Sequence, residues 1–533
     1  MPEILPPRPL TMVGSPHPIR SRADIRDRNG RLTLVNSSAT PHEAMVEDLL
    51  FVRGVLEDAG LHYLLIRGND ARPVLVVEAD DFSAFEGALV VACAAEPFYA
   101  DTLRAKDLER VGESLLVADG RVTAKPKAGI FRLYRPRIDP GGSLAYGELF
   151  AVQVEVWRRQ GEEILVPVEN ALTRRRLPAT EYVETTVERY GKTWPTLQHM
   201  FDHLAGDVTF DIDIVFSWVD GSDSEFQRAR AKRMANYVVG EGDDNEARYR
   251  QVDELRYALR SVYLFAPWIR NIYIATDSPA PAWLADHPRV RIVRSEEFFS
   301  DPSVLPTHNS QAVESQLHNI PGLSEHFLYS NDDMFFGRPI GPEMFFSPGG
   351  LTKFIEATTR IGLGENDARR SGFENAARVN RRLLNDRFGR VTTRHLEHTA
   401  APLRKSIVAE LESEFPEEFA ATAASRFRAA DNISVTNSLY HYYALFTGRA
   451  VQKVGARVLY VDTTMRSGLK SLKRLLRNRS YDFFCLNDGS FPEVGPEERA
   501  RKMRGFLDRY FAIPAPWERT LAEQETGVRQ TAG

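Results

Sequence analysis

The chain has 533 residues, 43% of them hydrophobic and 26% charged. That make-up is ordinary for folded protein and excludes wholesale disorder, a collagen-like fibre or a disulfide scaffold. Its 68 basic and 73 acidic side chains leave a net charge of −5, so no overall basic field exists to hold a nucleic acid by its phosphates.

At roughly 150 residues per domain, the length predicts two to four domains. Residues 1–40 are rich in Pro, Ser and Arg without a sustained period and are expected to be a flexible arm or an early strand. Residues 41–200 read as a small α/β domain of unassigned role. It has a helix over His42–Ala59 and strands at Tyr63–Ile66, Val74–Val77, Ile130–Tyr134 and Leu149–Trp157. The N-terminus has no apolar core of signal-peptide length, and no stretch of about 20 residues lacks charge. The two cysteines, Cys93 and Cys485, form no CxxC pair, which argues against structural zinc and for a reducing compartment. A cytoplasmic protein without a spanning helix is expected, with peripheral contact at the inner face of the membrane left open.

A second domain begins near Asp211. Its run DIDIVFSWVD predicts a strand over Ile212–Trp218, ending in the turn Asp220-Gly221-Ser222-Asp223. Residues 225–250 read as a helix end and a mobile loop. A helix over Asp253–Phe265, strands at Asn271–Thr276 and Arg289–Val293, a helix over Ser310–Ile320 and a strand at Phe327–Ser330 follow. This order describes a doubly wound, mostly parallel sheet, which binds ligands at the carboxyl ends of its strands. Residues 340–400 carry no clear pattern. Helices are expected over Pro402–Phe415, Pro416–Arg428 and Ser434–Phe446, a basic helical stretch over Arg466–Arg479, a strand and turn over Asp482–Asp488, and a closing helix over Pro496–Phe511. A loose tail ends the chain.

Asn331-Asp332-Asp333 stands at a strand end. Adjacent carboxylates are costly without a cation, a proton or donors, and oxygen ligands there suit Mg²⁺. A solvated turn explains the same residues equally well. Asp220 and Gly221 form a turn that could meet a phosphate, or simply a polar turn. Arg256 and Arg260 share a helical face as a phosphate clamp or an ion-pair ladder. His395 and His398 are three apart and could share a helical face, but no further ligands at metal spacing accompany them. Arg426 and Arg428 flank Phe427, and Asn487-Asp488 repeats the polar turn after an apolar strand. No phosphate-binding glycine loop, GxSxG or HExxH is present.

Four segments taken together resemble the four blocks of the stealth family. They are DIDIVFSWVDGSD (211–223), the stretch from DELRYALRS (253–261) to FLYSNDDMFFG (327–337), the His398-to-Arg428 segment, and CLND (485–488). The blocks lie near 211–223, 253–337, 395–447 and 482–511, within a catalytic domain over 211–515 that the arrangement implies. That family includes bacterial capsule and exopolysaccharide phosphotransferases, and the arrangement is most similar to its actinobacterial members. The resemblance implies transfer of sugar 1-phosphate from a nucleotide-sugar, a UDP-hexose or UDP-N-acetylhexosamine, to a glycan hydroxyl, with release of UMP. It implies Asp333 as base with His398 as second choice, and Asp332 on Mg²⁺. It also implies Asp220, Gly221, Arg256, Asn331, Arg428, Asn487 and Asp488 on the substrates. Where the family's animal enzyme has a second histidine three residues on in its third block, this chain has Ala401. A glycosyltransferase releasing UDP and a non-catalytic glycan-binding component are the alternatives.

Overall fold

A computed structural model describes residues 18–123, 129–221, 252–489 and 492–519. The chain divides into two units, residues 1–202 and 203–533. The segment Ser222–Asp223 of the second-domain turn, and the loop expected over 225–250, lie outside the described residues.

The first unit is built on a mixed eight-stranded sheet. Its long strand Val152–Gln160 runs antiparallel to Ile130–Tyr134 and parallel to Pro73–Glu78. A helix over Pro41–Asp58 buries Leu49, Val52 and Leu56 in its core. Thr40 and Glu43 close a reciprocal cap at that helix's start, satisfying two of its free N–H groups. Part of the segment expected as a flexible arm or an early strand is ordered: Ile25–Arg28 and Arg31–Val35 form a hairpin. Its two-residue turn is Asn29-Gly30, both at positive φ (54° and 79°), the backbone that lets paired strands keep their twist. Asp101 of a buried strand, and Arg135 and Arg137 clasping the buried Asp48, belong to this unit's polar interior.

In the second unit, β1 (Ile212–Ser217), α1 (Glu254–Phe265), β2 (Ile272–Ala275), β3 (Val290–Val293), α2 (Ser310–Gln316) and β4 (His326–Asn331) follow in order. A short strand β5 (Met334–Phe336) then leads to a helix α3 (Gly372–Phe388) in the region that carried no clear sequence pattern. Next come β6 (Ala401–Arg404), α4 (Lys405–Glu414), α5 (Tyr440–Phe446), β7 (Val458–Asp462), α6 (Arg466–Asn478), β8 (Phe483–Asn487) and α7 (Pro496–Tyr510). The main sheet runs β3-β2-β1-β4-β6, the first four parallel and β6 antiparallel. The chain steps outward from β1 to β2 and β3, then returns to the other side of β1 with β4. The strand order therefore reverses between β1 and β4, whose carboxyl ends meet where Ser217 pairs with Asn331, the position at which sheets of this kind take ligands. A second sheet, β5-β8-β7, continues directly from β4.

Two expected helices differ. Residues 401–404 join the sheet edge as β6, where Pro402 can sit without donating to the ladder, and the helix starts only at Lys405. The helix expected over Ser434–Phe446 opens with a wide turn over Val435–Leu439, in which the Ser434 carbonyl accepts from Leu439 N at 3.2 Å and from Asn380 Nδ2 at 2.9 Å. Among the described residues, no helix is long and apolar enough to cross a membrane.

Candidate active site

The carboxyl end of β4 holds two polar groupings on successive residues. Alternation along the strand sends Tyr329 and Asn331 to one side. The Tyr329 hydroxyl donates to Asn331 Oδ1 at 3.0 Å and lies 2.7 Å from Ser217 Oγ at the end of β1. Behind them stands Glu314 of α2, 8% exposed, which accepts from Thr436 Oγ1 at 2.7 Å and Ser434 Oγ at 3.3 Å. Burial raises the Glu314 carboxyl above the usual carboxylate range, against the pull of those hydroxyls and the nearby Arg428 charge. Arg428 Nη2 donates to Ser310 Oγ at 2.9 Å, one turn before Glu314 on the same helix. Its stem packs over Gly372 at the start of α3, where a Cβ would collide with it.

The second grouping is acidic. Asp332 and Asp333 follow β4 directly, and the Asp333 carbonyl accepts from Leu486 N at 3.0 Å, tying the turn to β8. The Cys485 thiol donates to Asp333 Oδ2 at 3.4 Å. Burial, then the Asp333 charge, pushes that thiol well above its ordinary range, so it stays a neutral donor. Asp332 is raised well above the usual carboxylate value by desolvation and by the charges of Asp333, Glu254 and Asp488. Glu254, 7% exposed at the start of α1, is pushed up to about 7 by burial. Asp488, just past β8, rises to about 6 for the same first reason, although Arg499 of α7 pairs with it and Thr463 Oγ1 donates to it at 2.8 Å. Arg499 Nε in turn reaches Thr463 Oγ1 at 2.8 Å.

Asp462, at the end of β7, accepts from Thr464 N at 2.9 Å and Gly489 N at 3.2 Å. A Cβ at residue 489 would run into that carboxylate, so the turn after β8 requires glycine at this approach. Tyr460, 47% exposed on β7, lies edge-on to the His398 ring at 5.1 Å. Burial lowers the His398 imidazole below its ordinary value, while the Asp333 charge acts to raise it.

Of the residues singled out from the sequence, Asn331, Asp332, Asp333, His398 and Asp488 gather around the β4 and β8 ends. Arg428 joins through Ser310 and Glu314. Asp220 and Gly221 follow β1, where Asp220 N donates to Ser278 Oγ at 2.9 Å. Asn487 contributes its carbonyl to Thr463 N at 2.9 Å. Arg256 stands apart from the acidic grouping: its Nε donates to Glu518 Oε2 at 2.5 Å, beside Arg260, and Glu518 is almost wholly buried. His395 does not share a helical face with His398. It lies in a strand over Arg394–Leu396 and stacks on Phe373 at 4.4 Å, a packed histidine. Glu254, Glu314, Tyr460, Asp462 and Arg499 were not foreseen. For Asp462 a signal existed: VLYVD followed by two threonines repeats the pattern of an apolar strand ending in an acidic turn.

The donors at the acidic grouping are oxygens with surplus negative charge, which fits the chemistry of Mg²⁺. Among the described residues, no three His, Cys, Asp or Glu side chains are close enough to ligate one ion together. Magnesium in phosphate-handling sites is commonly held by one or two carboxylates and completed by substrate phosphates, and this donor set fits that arrangement.

Sequence models of the four conserved regions of stealth proteins match residues 210–238, 248–354, 397–445 and 473–526. Those regions supply Ser217 and Asp220, then Glu254 and Asp332-Asp333, then His398 and Arg428, then Asp488 and Arg499. The chain belongs to the stealth family. It is 60% identical over 496 residues to the exopolysaccharide phosphotransferase CpsY of Mycobacterium tuberculosis, covering 93% of this chain and 92% of that protein. It is 54% identical over 492 residues to an exopolysaccharide phosphotransferase of Nocardia farcinica, covering 92% and 91%. An exopolysaccharide phosphotransferase of Streptomyces coelicolor, SCO6021, is 36% identical over 519 residues, covering 95% of each chain.

Proposed function

We propose that this protein is a transferase of exopolysaccharide synthesis that moves sugar 1-phosphate from a nucleotide-sugar to a glycan hydroxyl. A UDP-hexose or UDP-N-acetylhexosamine is the expected donor. The acceptor oxygen attacks the phosphorus next to the sugar, the bond between the two phosphates breaks, UMP leaves with that bridging oxygen, and a phosphodiester forms. The carrying observation is convergence: the four conserved regions, far apart in sequence, meet at the carboxyl ends of β1, β4 and β8. The names of the close relatives support the same class of reaction.

Phosphoryl transfer depends mostly on positioning and charge neutralisation. Asp333, flanked by the neutral Cys485 thiol and the His398 ring, receives the acceptor's proton. His398 donates to or accepts from the acceptor side, and is the second choice of base. Arg428, steadied by Ser310 and Glu314, faces the diphosphate with Asn331. Asp220 and Gly221 meet the nucleotide-sugar at the end of β1, and Asn487 and Asp488 close the site from β8. Asp332, with Asp488 or Glu254, would hold Mg²⁺, which when bound neutralises the diphosphate and the surplus carboxylate charge. Identifying the nucleotide released from a panel of UDP-sugars with glycan acceptors tests the proposal: UMP supports it, and UDP replaces it with glycosyl transfer.

A further inference from the structure

The helix α6 (Arg466–Asn478) begins four residues after Asp462 and three after Thr463, which holds Asp488. From residue 463 to residue 481 the sequence contains no acidic side chain, in a chain whose net charge is −5. Arg466, Lys470, Lys473 and Arg477 are all exposed. Spaced four, three and four apart, they fall on one face of the helix. Leu469, Leu472 and Leu475 are buried on the opposite side. At about 1.5 Å per residue, the cationic row is roughly 16 Å long. Arg501 and Arg504 are also exposed on α7, which packs against α6. Among the described residues, none of these six makes an ion pair.

Glu498 of α7 acts electrostatically on Arg466 and Arg501, while among the described residues Lys470, Lys473 and Arg477 have no acidic partner and face solvent. Two surfaces could supply an anion, a lipid leaflet or a polymer. Membrane-docking helices combine cations with exposed apolar or aromatic anchors. Here the leucines of α6 are spent on the core, and no large apolar side chain of α6 or α7 is among the protein's exposed ones. The exposed aromatic nearby is Tyr460, at the site end of the row, two residues before Asp462. A flat ring there suits a sugar face.

We propose that Arg466, Lys470, Lys473 and Arg477 form a subsite for a phosphodiester-linked glycan, the polyanionic strand that the site's own product becomes when it serves again as acceptor. This rests on the function proposed above. The charge repeat of the strand meets the row of cations, and Tyr460 receives the terminal sugar beside Asp333 and His398.

The test uses the full chain and the triple variant Lys470→Gln, Lys473→Gln, Arg477→Gln, whose replacements keep helix propensity. The probes are a fluorescent phosphodiester-linked N-acetylglucosamine oligomer, an uncharged dextran oligomer of equal length, and phosphatidylglycerol vesicles. Wild type should bind the phosphodiester oligomer in a salt-sensitive way and the dextran much more weakly. The triple variant should lose about tenfold in affinity for the phosphodiester oligomer, given roughly 1 kcal/mol or less for each exposed charge contact. Its transfer to a short uncharged acceptor should be unchanged. Equal binding of the phosphodiester oligomer by both proteins overturns the proposal. So does loss of vesicle binding with oligomer binding intact, which assigns the row to lipid. Row-dependent oligomer binding with no transfer from any donor would sink the proposed function and leave the subsite standing.

Discussion

Replacing Glu254 by Gln tests whether the site stores uncompensated negative charge. Burial lifts this carboxyl from 4.5 to about 7. A folded-state value above the unfolded one means that protonation favours the fold. The stability linked to that proton is full below pH 4.5 and is lost as pH rises through about 7. A rise from 4.5 to about 7, at about 1.4 kcal/mol per pH unit, sets a ceiling of roughly 3 to 4 kcal/mol, reached above about pH 8. At pH 5 the same linkage costs only about 1 kcal/mol. Glutamine keeps the oxygen that accepts from Val252 N at 2.7 Å, so shape and hydrogen bond survive while the charge is removed. In metal-free buffer, urea unfolding of the variant should show a midpoint well above wild type at pH 8, with the gap shrinking to about a third at pH 5. A variant no more stable than wild type at pH 8 would refute the reasoning, because the charge would then be compensated in the fold. Turnover of the variant should fall, since the surplus charge is what a bound cation would meet.

Asp333→Asn should lower turnover by about two to four orders of magnitude, the usual weight of a positioned proton acceptor, with little change in melting. Turnover within a few-fold of wild type would remove Asp333 from the chemistry. Arg256→Ala should destabilise the second unit by about 3 kcal/mol, because it leaves the buried Glu518 one guanidinium short. A raised donor KM at unchanged stability would instead place Arg256 on the substrate. Cys485 is raised well above its ordinary range by burial, and Cys93 is pushed up to about 12 for the same reason. An aromatic disulfide reagent should therefore find no fast-reacting thiol in the native protein and both thiols after denaturation.

The strand-end logic was legible because it is local. FLYSNDD and CLND each place an apolar strand directly before acidic turn residues, and the structure joins these two ends through Leu486 N and Cys485 Sγ. Residues that act across long separations were not legible. Arg499 reaches Thr463 over 36 positions, and Glu314 meets Thr436 over 122, with no spacing to announce either. Arg256 and Arg260 did share a helical face as read, but periodicity names a face and not its occupant, which is Glu518. An early strand is one of the two readings of residues 1–40, but the Asn29-Gly30 hairpin itself is hard to see in sequence because its strands are short and charged. Local pattern favours helix at residues 402–404, but their pairing with β4 lies in tertiary structure, which overrides local propensity.

The central claim is attack at phosphorus, and the fate of one oxygen tests it most directly. The donor should carry a heavy-oxygen label in the bridge between the sugar's anomeric carbon and its phosphorus, and the products should be analysed by mass spectrometry. Attack at phosphorus leaves the label in the glycan, between sugar and phosphorus, while unlabelled UMP is released. A label found in released UDP would show that the anomeric carbon was attacked and would contradict the account.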